Sequence, residues 1–149
     1  MKIITENREA KHDYFLENGI ETGIVLEGSE VKSLRSGKAN LKDSYAIVRA
    51  GEVFLLNCHI SNFEKAGAFA PDPRRTRKLL LKKHEIEKLE RKIKEQGYTL
   101  VPTKMYFSGS LAKVEIALAK GKKLYDKKDD KRLFDLKRYA ERQISNIKN

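Results

Sequence analysis

Two adjacent residue pairs offer chemistry. Cys58-His59 sets a thiol beside an imidazole, the parts of a thiol nucleophile and its base. His12-Asp13 sets an imidazole beside a carboxylate, the parts of a ribonuclease-like acid and base. Neither spacing is productive. Cys58 and His59 fall on strand-like sequence, where successive side chains point to opposite faces and cannot meet. His12 has no second histidine to share proton transfer, so packing or hydrogen bonding suits it better. The acids Glu85, Glu87, Glu90 and Glu95 form no catalytic pair. They read as helix-face partners, Glu87 with Arg91 and Glu90 with Lys94 at i,i+4. No His/Cys/Asp/Glu spacing resembles a metal site, and neither phosphate-cradling glycine motif is present. The expectation is a protein without catalysis, metal or cofactor.

Charge points to binding instead. The 149 residues carry 32 Lys and Arg against 21 Asp and Glu, a net charge of +11. The excess is uneven. Lys32 to Lys42 holds four cations and no acid, and Arg74 to Lys83 holds six cations and no acid. From Lys120 to Arg142 there are ten cations against five acids. Such fields attract polyanions, nucleic acid foremost. The lone cysteine allows no internal disulfide, which suits a reducing compartment. No apolar run approaches the roughly 20 residues that span a bilayer, and the first residues lack a signal-peptide core. A cytoplasmic protein, with no membrane partner, is expected.

Short strands with few helices must position these charges. Residues 1–18 read as an arm docked by Tyr14, Phe15 and Leu16. Strands are expected at Glu21–Leu26, Ser44–Val48, Val53–Asn57, Lys78–Leu81, Tyr98–Phe107 and Leu111–Ala119, with a hairpin turn at Ala50-Gly51. A short helix over Glu30–Ser36 would be capped by Ser29 and stopped by Gly37. A second, Lys83–Gln96, carries Ile86, Leu89 and Ile93 on one stripe and stops at Gly97. Residues 61–78 read as a long loop, broken by Pro71 and Pro73. Six strands without a β-α-β alternation favour a closed antiparallel barrel of the oligonucleotide-binding kind over a parallel sheet. The chain divides into a barrel domain, 1–120, and a basic tail, 121–149. Leu133, Leu136, Ala140 and Ile144 give the tail weak helical periodicity, but its charge leaves it too little to bury alone. Disorder that becomes helix on a partner is expected.

Five blocks, in order, resemble the small protein B (SsrA-binding protein, SmpB) family of bacterial trans-translation. They are Asn7–Phe15, Gly28–Tyr45, Asn57–Ser61, Arg75–Leu81 and Ala119–Lys128. The resemblance spans nearly the whole chain. It implies a barrel that binds the transfer-RNA-like domain of transfer-messenger RNA and stands in for its missing anticodon arm. It implies delivery to the A site of a stalled ribosome, with elongation factor Tu engaged indirectly through the charged RNA. The tail would probe the empty messenger channel near the decoding centre. A monomer is expected.

By position, the resemblance assigns Asn7, His12, Glu21, Leu80 and Lys113 to the RNA-facing set. Glu21 repels phosphate, so there it would accept from a base or ribose donor or aim a neighbouring cation; otherwise it is a plain surface acid. Lys38, Arg77 and Lys78 fit phosphate contacts or a solvated surface. Lys120, Gly121, Lys122, Lys123, Tyr125, Asp126, Lys127 and Lys128 would form the ribosome-contacting part of the tail, Gly121 letting the strand turn outward. Tyr125 reads equally as a stacking ring or as a plug at the barrel end. Two positions depart from the family: Lys128 stands where Arg is frequent, losing a planar fork, and Glu9 where a cation is common. A generic single-strand binder of the cold-shock type would need a row of strand-borne aromatics, which this chain lacks.

Overall fold

The computed structural model describes residues 1–62 and 70–121, the side chain of Asn18 excepted. Long strands dominate it. β2 (Tyr14–Ile24), β8 (Thr99–Ser108) and β9 (Leu111–Gly121) each run ten or eleven residues. The shorter β4 (Tyr45–Arg49), β5 (Glu52–Leu56) and β7 (Arg77–Leu80) complete a ring in the order β8, β4, β5, β7, β2, β9, with β9 returning to β8. Every pairing is antiparallel. The barrel therefore has the six strands and closed edges expected from sequence. Closure leaves no open edge within the ring to recruit another chain.

The arm is ordered, as expected, but residues 1–13 form a strand and a helix of their own and residues 14–18 belong to β2. β1 (Lys2–Glu6) pairs with the far end of β8 and extends the sheet beyond the ring. α1 (Arg8–Asp13) follows, capped by Asn7, whose Oδ1 accepts from the Ala10 N–H at 3.3 Å. Ala10 then packs with Val101 and Ala119 on the outside of the barrel, and Tyr14 and Leu16 close over them. The main core lies inside, where Val53, Leu55, Leu79, Leu100, Met105, Val114, Ile116 and Leu118 meet. These residues alternate along their strands with outward ones, as a half-buried sheet requires.

Turn chemistry follows the sequence. Ala50 (φ 52°) and Gly51 (φ 76°) both take left-handed backbone, the two-residue turn that suits a twisted hairpin between β4 and β5. α3 (Lys83–Gln96) has the expected bounds, with Leu89 buried and Ile86 and Ile93 against the core. Gly97, at φ 70°, ends it, because a side chain is disfavoured in that conformation. A two-stranded ribbon, β3 (Ala39–Asn40) with β6 (His59–Ile60), flanks the ring.

Two expectations are corrected. α2 (Gly28–Arg35) begins before Ser29, and its cap is Glu27, whose N–H donates to Glu30 Oε1 at 2.9 Å. The Glu30 carboxylate, reaching back to the N–H of the cap residue, forms the N3 half of a capping box. Arg77 is not a phosphate contact: it is fully buried. Its Nε donates to Glu30 Oε2 at 2.8 Å, Nη1 to the Cys58 carbonyl at 2.7 Å and Nη2 to the Pro73 carbonyl at 3.1 Å. Arg75 reaches the same carboxylate through Nη2 at 2.6 Å. One carboxylate thus binds α2, β7 and the segments around Cys58 and Pro73 at one end of the barrel. Within the expected loop at 61–78, residues 63–69 lie outside the described residues, and β7 begins at Arg77.

Burial pushes the Glu30 carboxyl pKa up. Hydrogen bonds from Arg75, the Glu27 N–H and Arg77, with the charge of Arg77, outweigh it and leave the group below its ordinary 4.5. A depressed carboxyl stabilises the fold fully above that ordinary value and loses its contribution as pH falls through the folded value. Glu30→Ala leaves Arg77 buried without a counter-charge, so urea unfolding at neutral pH should show a loss of about 3–5 kcal/mol. The gap between variant and wild type should narrow in acid. A loss under about 1 kcal/mol would reduce the contact to the worth of a surface ion pair.

Candidate nucleic-acid interface

Barrel closure brings distant residues into one line. Directly opposed residues in antiparallel strands share a face of the sheet. Leu80 on β7 opposes Gly23 on β2, Gly23 opposes Lys113 on β9, Lys113 opposes Tyr106 on β8, and Tyr106 opposes Ile3 on β1. The row lies on the outside: Leu80 is 52% and Ile3 45% exposed, and the flanking Thr22 and Leu79 are buried inward. Three of the RNA-facing residues from sequence, Leu80, Lys113 and Glu21, therefore share a surface. Glu21 sits two residues before Gly23, on the same face.

The charges here are arranged in pairs. Tyr106 Oη donates to Glu21 Oε1 at 2.6 Å. Lys104 Nζ lies 3.3 Å from Glu115 Oε2 and 5.6 Å from the centre of the Tyr106 ring. Lys113 forms no ion pair among the described residues, so its ammonium is available to a phosphate. Burial raises the Tyr106 hydroxyl pKa most, and the hydrogen bond and charge of Glu21 add to it. The hydroxyl therefore remains a donor.

The other expected contacts spread around this surface. His12 closes α1 with its side chain 79% exposed and Nδ1 2.9 Å from Asp13 Oδ1. Asn7 is buried, and its Nδ2 donates to the Pro102 carbonyl at 2.9 Å. Its amide thus fixes α1, and His12 with it, against β8. Lys78 is exposed on β7, with Nζ 3.5 Å from Glu52 Oε1. Lys38 is exposed beyond α2.

Lys120 and Gly121 belong to β9 rather than to the tail. They oppose Phe15 and Tyr14 on β2. Lys120 Nζ stands 4.8 Å from the centre of the Tyr98 ring, a cation–π contact. Tyr98 Oη donates to Glu17 Oε2 at 3.1 Å, and Lys92 Nζ lies 3.3 Å from Glu17 Oε1. Gly121 is the last residue of β9, still paired with Tyr14, and the chain's course beyond it lies outside the described residues. The other tail residues named from sequence, Lys122, Lys123, Tyr125, Asp126, Lys127 and Lys128, lie outside the described residues, as do the expected tail disorder and its helical periodicity.

Sequence reasoning missed Gly23 and Tyr106. Neither lies in a charged cluster, and only the β2–β9–β8 register brings them to Lys113. The row holds one aromatic ring, that of Tyr106, and it is only 5% exposed. It offers no stacking platform of the single-strand-binding kind. No group of three or more His, Cys, Asp or Glu among the described residues is placed to hold a metal. No described helix is long and apolar enough to cross a membrane.

The family model described as "SmpB protein" matches residues 4–146. The SsrA-binding protein of Thermoanaerobacter pseudethanolicus is 56% identical over 144 residues, covering 97% of this chain and 92% of that protein. That of Geobacillus thermodenitrificans is 54% identical over 141 residues, covering 95% and 91%. A solved chain described under "tmRNA-SmpB: a journey to the center of the bacterial ribosome" superposes with a TM-score of 0.70 at 45% identity, covering 94% of this chain and 96% of that one.

Cys58 provides a direct check on the absence of thiol chemistry. It is fully buried, and burial pushes its thiol up to about 11. The thiolate is the reactive form. Maleimide should label the native protein far more slowly than the urea-unfolded chain. Equal rates would restore a nucleophile to consideration.

Proposed function

The chain belongs to the SmpB family, and from that premise we propose that it binds transfer-messenger RNA and serves trans-translation. It grips the transfer-RNA-like domain, stands in for the absent anticodon arm and accompanies the RNA into the A site of stalled ribosomes. One observation carries the reading: the family match spans barrel and tail together, residues 4–146. The row joining Leu80, Lys113 and Glu21 supplies a surface for the barrel's share of the work.

Folded RNA is recognised by shape, by backbone and 2′-hydroxyl contacts, and at unpaired nucleotides. A rigid barrel suits shape recognition, because its outer side chains are held by pairing on both sides. Lys113, Lys78 and Lys38 would neutralise phosphates, giving affinity that falls with salt. His12, on the helix that Asn7 caps, would add a contact at the edge of the surface. Arg77 has no part in it. The protein would act without catalysis, as a monomer, in the cytoplasm where ribosomes work. Elongation factor Tu would be met only through the charged RNA. The tail from Lys122 onward, with Tyr125 among its lysines, would reach the decoding centre and the vacant messenger channel.

The transfer-RNA-like domain should bind at least about a hundredfold more tightly than an unstructured strand of equal length at matched salt. Lys113→Ala should weaken that binding and lower the salt slope by about one. Similar affinities for both RNAs would refute specific recognition. Truncation after Gly121, which spares β9, should leave RNA affinity largely intact and abolish tagging in a reconstituted reaction. Normal tagging by the truncated protein would remove the tail from the mechanism.

A further inference from the structure

The outer face carries more acid than a surface for RNA requires. Two residues along β2, β8 and β9 from the row of Gly23, Tyr106 and Lys113 runs a second row. Glu6 on β1 opposes Lys104 on β8, Lys104 opposes Glu115 on β9, and Glu115 opposes Glu21 on β2. Three acids and one cation thus stand in line on a chain of net charge +11. We propose that Glu115 is a specificity residue: it withholds Lys104 from phosphate, so that a flexible strand finds no continuous cationic track across the barrel. The inference rests on the RNA-binding reading and adds discrimination to it.

Like charges directly opposed across a strand pair repel, and Glu21 and Glu115 are so placed. Each acid has its own relief. Glu21 accepts from the Tyr106 hydroxyl. Glu115 Oε2 lies 3.3 Å from Lys104 Nζ, and the two side chains are only 30% and 29% exposed, so salt screens the pair less than it would on open surface. The other carboxylate oxygen lies over Gly19, where an added Cβ would fall 2.5 Å from Oε1. Bare backbone at Gly19 thus leaves room for a carboxylate that a side chain would displace. Lys104 is enclosed on its other sides too, with Glu6 opposed on β1 and the Tyr106 ring centre 5.6 Å from its ammonium.

Other cations flank this row. Lys113 lies two residues before Glu115 on β9 and forms no ion pair among the described residues. On the far side, α1 packs through Ala10 on Val101 and Ala119, and its last turn carries Lys11 and His12. Phosphates fixed in a folded RNA can meet both flanks and pass over the acids between them. A flexible strand binds differently, by laying successive phosphates along a positive groove. Here that groove is interrupted, and the one cation within the interruption is held by Glu115.

The test measures affinity for a transcript of the transfer-RNA-like domain and for an unstructured strand of equal length, at matched salt. Glu115→Gln keeps the shape of the side chain and releases Lys104. It should tighten binding of the unstructured strand about fivefold at about 0.1 M salt and steepen its salt slope by about 0.7. The folded transcript, held at the flanks, should change less than about twofold, so selectivity falls. Adding Lys104→Met, which keeps the aliphatic stem, should return the unstructured strand to its wild-type affinity. Glu95→Gln, on the exposed face of α3, makes the same change in net charge away from the row and should move neither affinity. Glu115→Ala should act as Glu115→Gln does and serves if the glutamine variant folds poorly. Unchanged binding of the unstructured strand in the Glu115 variants, or an equal gain from Glu95→Gln, would overturn the inference and leave RNA binding intact. So would a loss of about tenfold for the folded transcript in Glu115→Gln, which would make Glu115 a direct contact. A wild-type protein that binds both RNAs alike would overturn the RNA reading itself.

Discussion

The pairing of β8 with β9 is the constraint on which the molecule depends. Without it the chain is an open, twisted sheet whose two edges invite other strands. With it the ring closes, and the outer residues of β9 from Lys113 to Ala119 acquire a paired strand on each side. Leu80 and Lys113 are 33 positions apart in sequence, yet they flank one glycine because β2 lies between their strands. The outer surface is a consequence of register. A one-residue slip would turn Lys113 and Tyr106 inward and send Val114 out to solvent.

Closure needs a stopper at the end of the barrel, and here the stopper is polar. Glu30, Arg75 and Arg77 occupy that position, with the Cys58 and Pro73 carbonyls also accepting from the Arg77 guanidinium. A buried ion pair repays its desolvation only when nearly every donor and acceptor is matched. Arg77 meets that condition through three separate acceptors. The arrangement also sets the start of α2, since the carboxylate that binds the arginines receives the Glu27 N–H. One side chain thus caps a helix and neutralises two cations. The helix cannot shift without disturbing the barrel end.

The period-two alternation made six strands and the barrel readable from sequence, though not β1, the ribbon of β3 and β6, or the first half of β2, and α3 was readable to the residue from its stripe and its terminal glycine. Leu80, Lys113 and Glu21 entered as a set only through resemblance to a family; their adjacency is geometric and lies in the register. Arg77 defeated sequence reading because a run of six cations between Arg74 and Lys83 looks uniformly solvated. Its neighbour in the run, Lys78, does point outward, since alternate strand residues face opposite ways. The acid that draws Arg77 inward lies 47 positions upstream. Lys120 misled in the opposite sense. The loss of apolar alternation after Ala119 suggested the strand had ended, but backbone pairing with Phe15 and a ring beneath the ammonium carry it on to Gly121.

That extension sets where the described part of β9 ends relative to the outer row. β9 passes through the outer row at Lys113 and continues, eight residues later, to the last described pair at Gly121. The outer row and the last described residue are therefore on one strand, held on both sides for most of its length. Strand pairing resists bending, so Gly121, the last described residue, is fixed relative to the outer row. Tyr98, Glu17, Lys92 and Lys120 add side-chain contacts at that point. A stiff strand thus sets the distance between the outer row and the end of β9, and the closed ring supplies that stiffness.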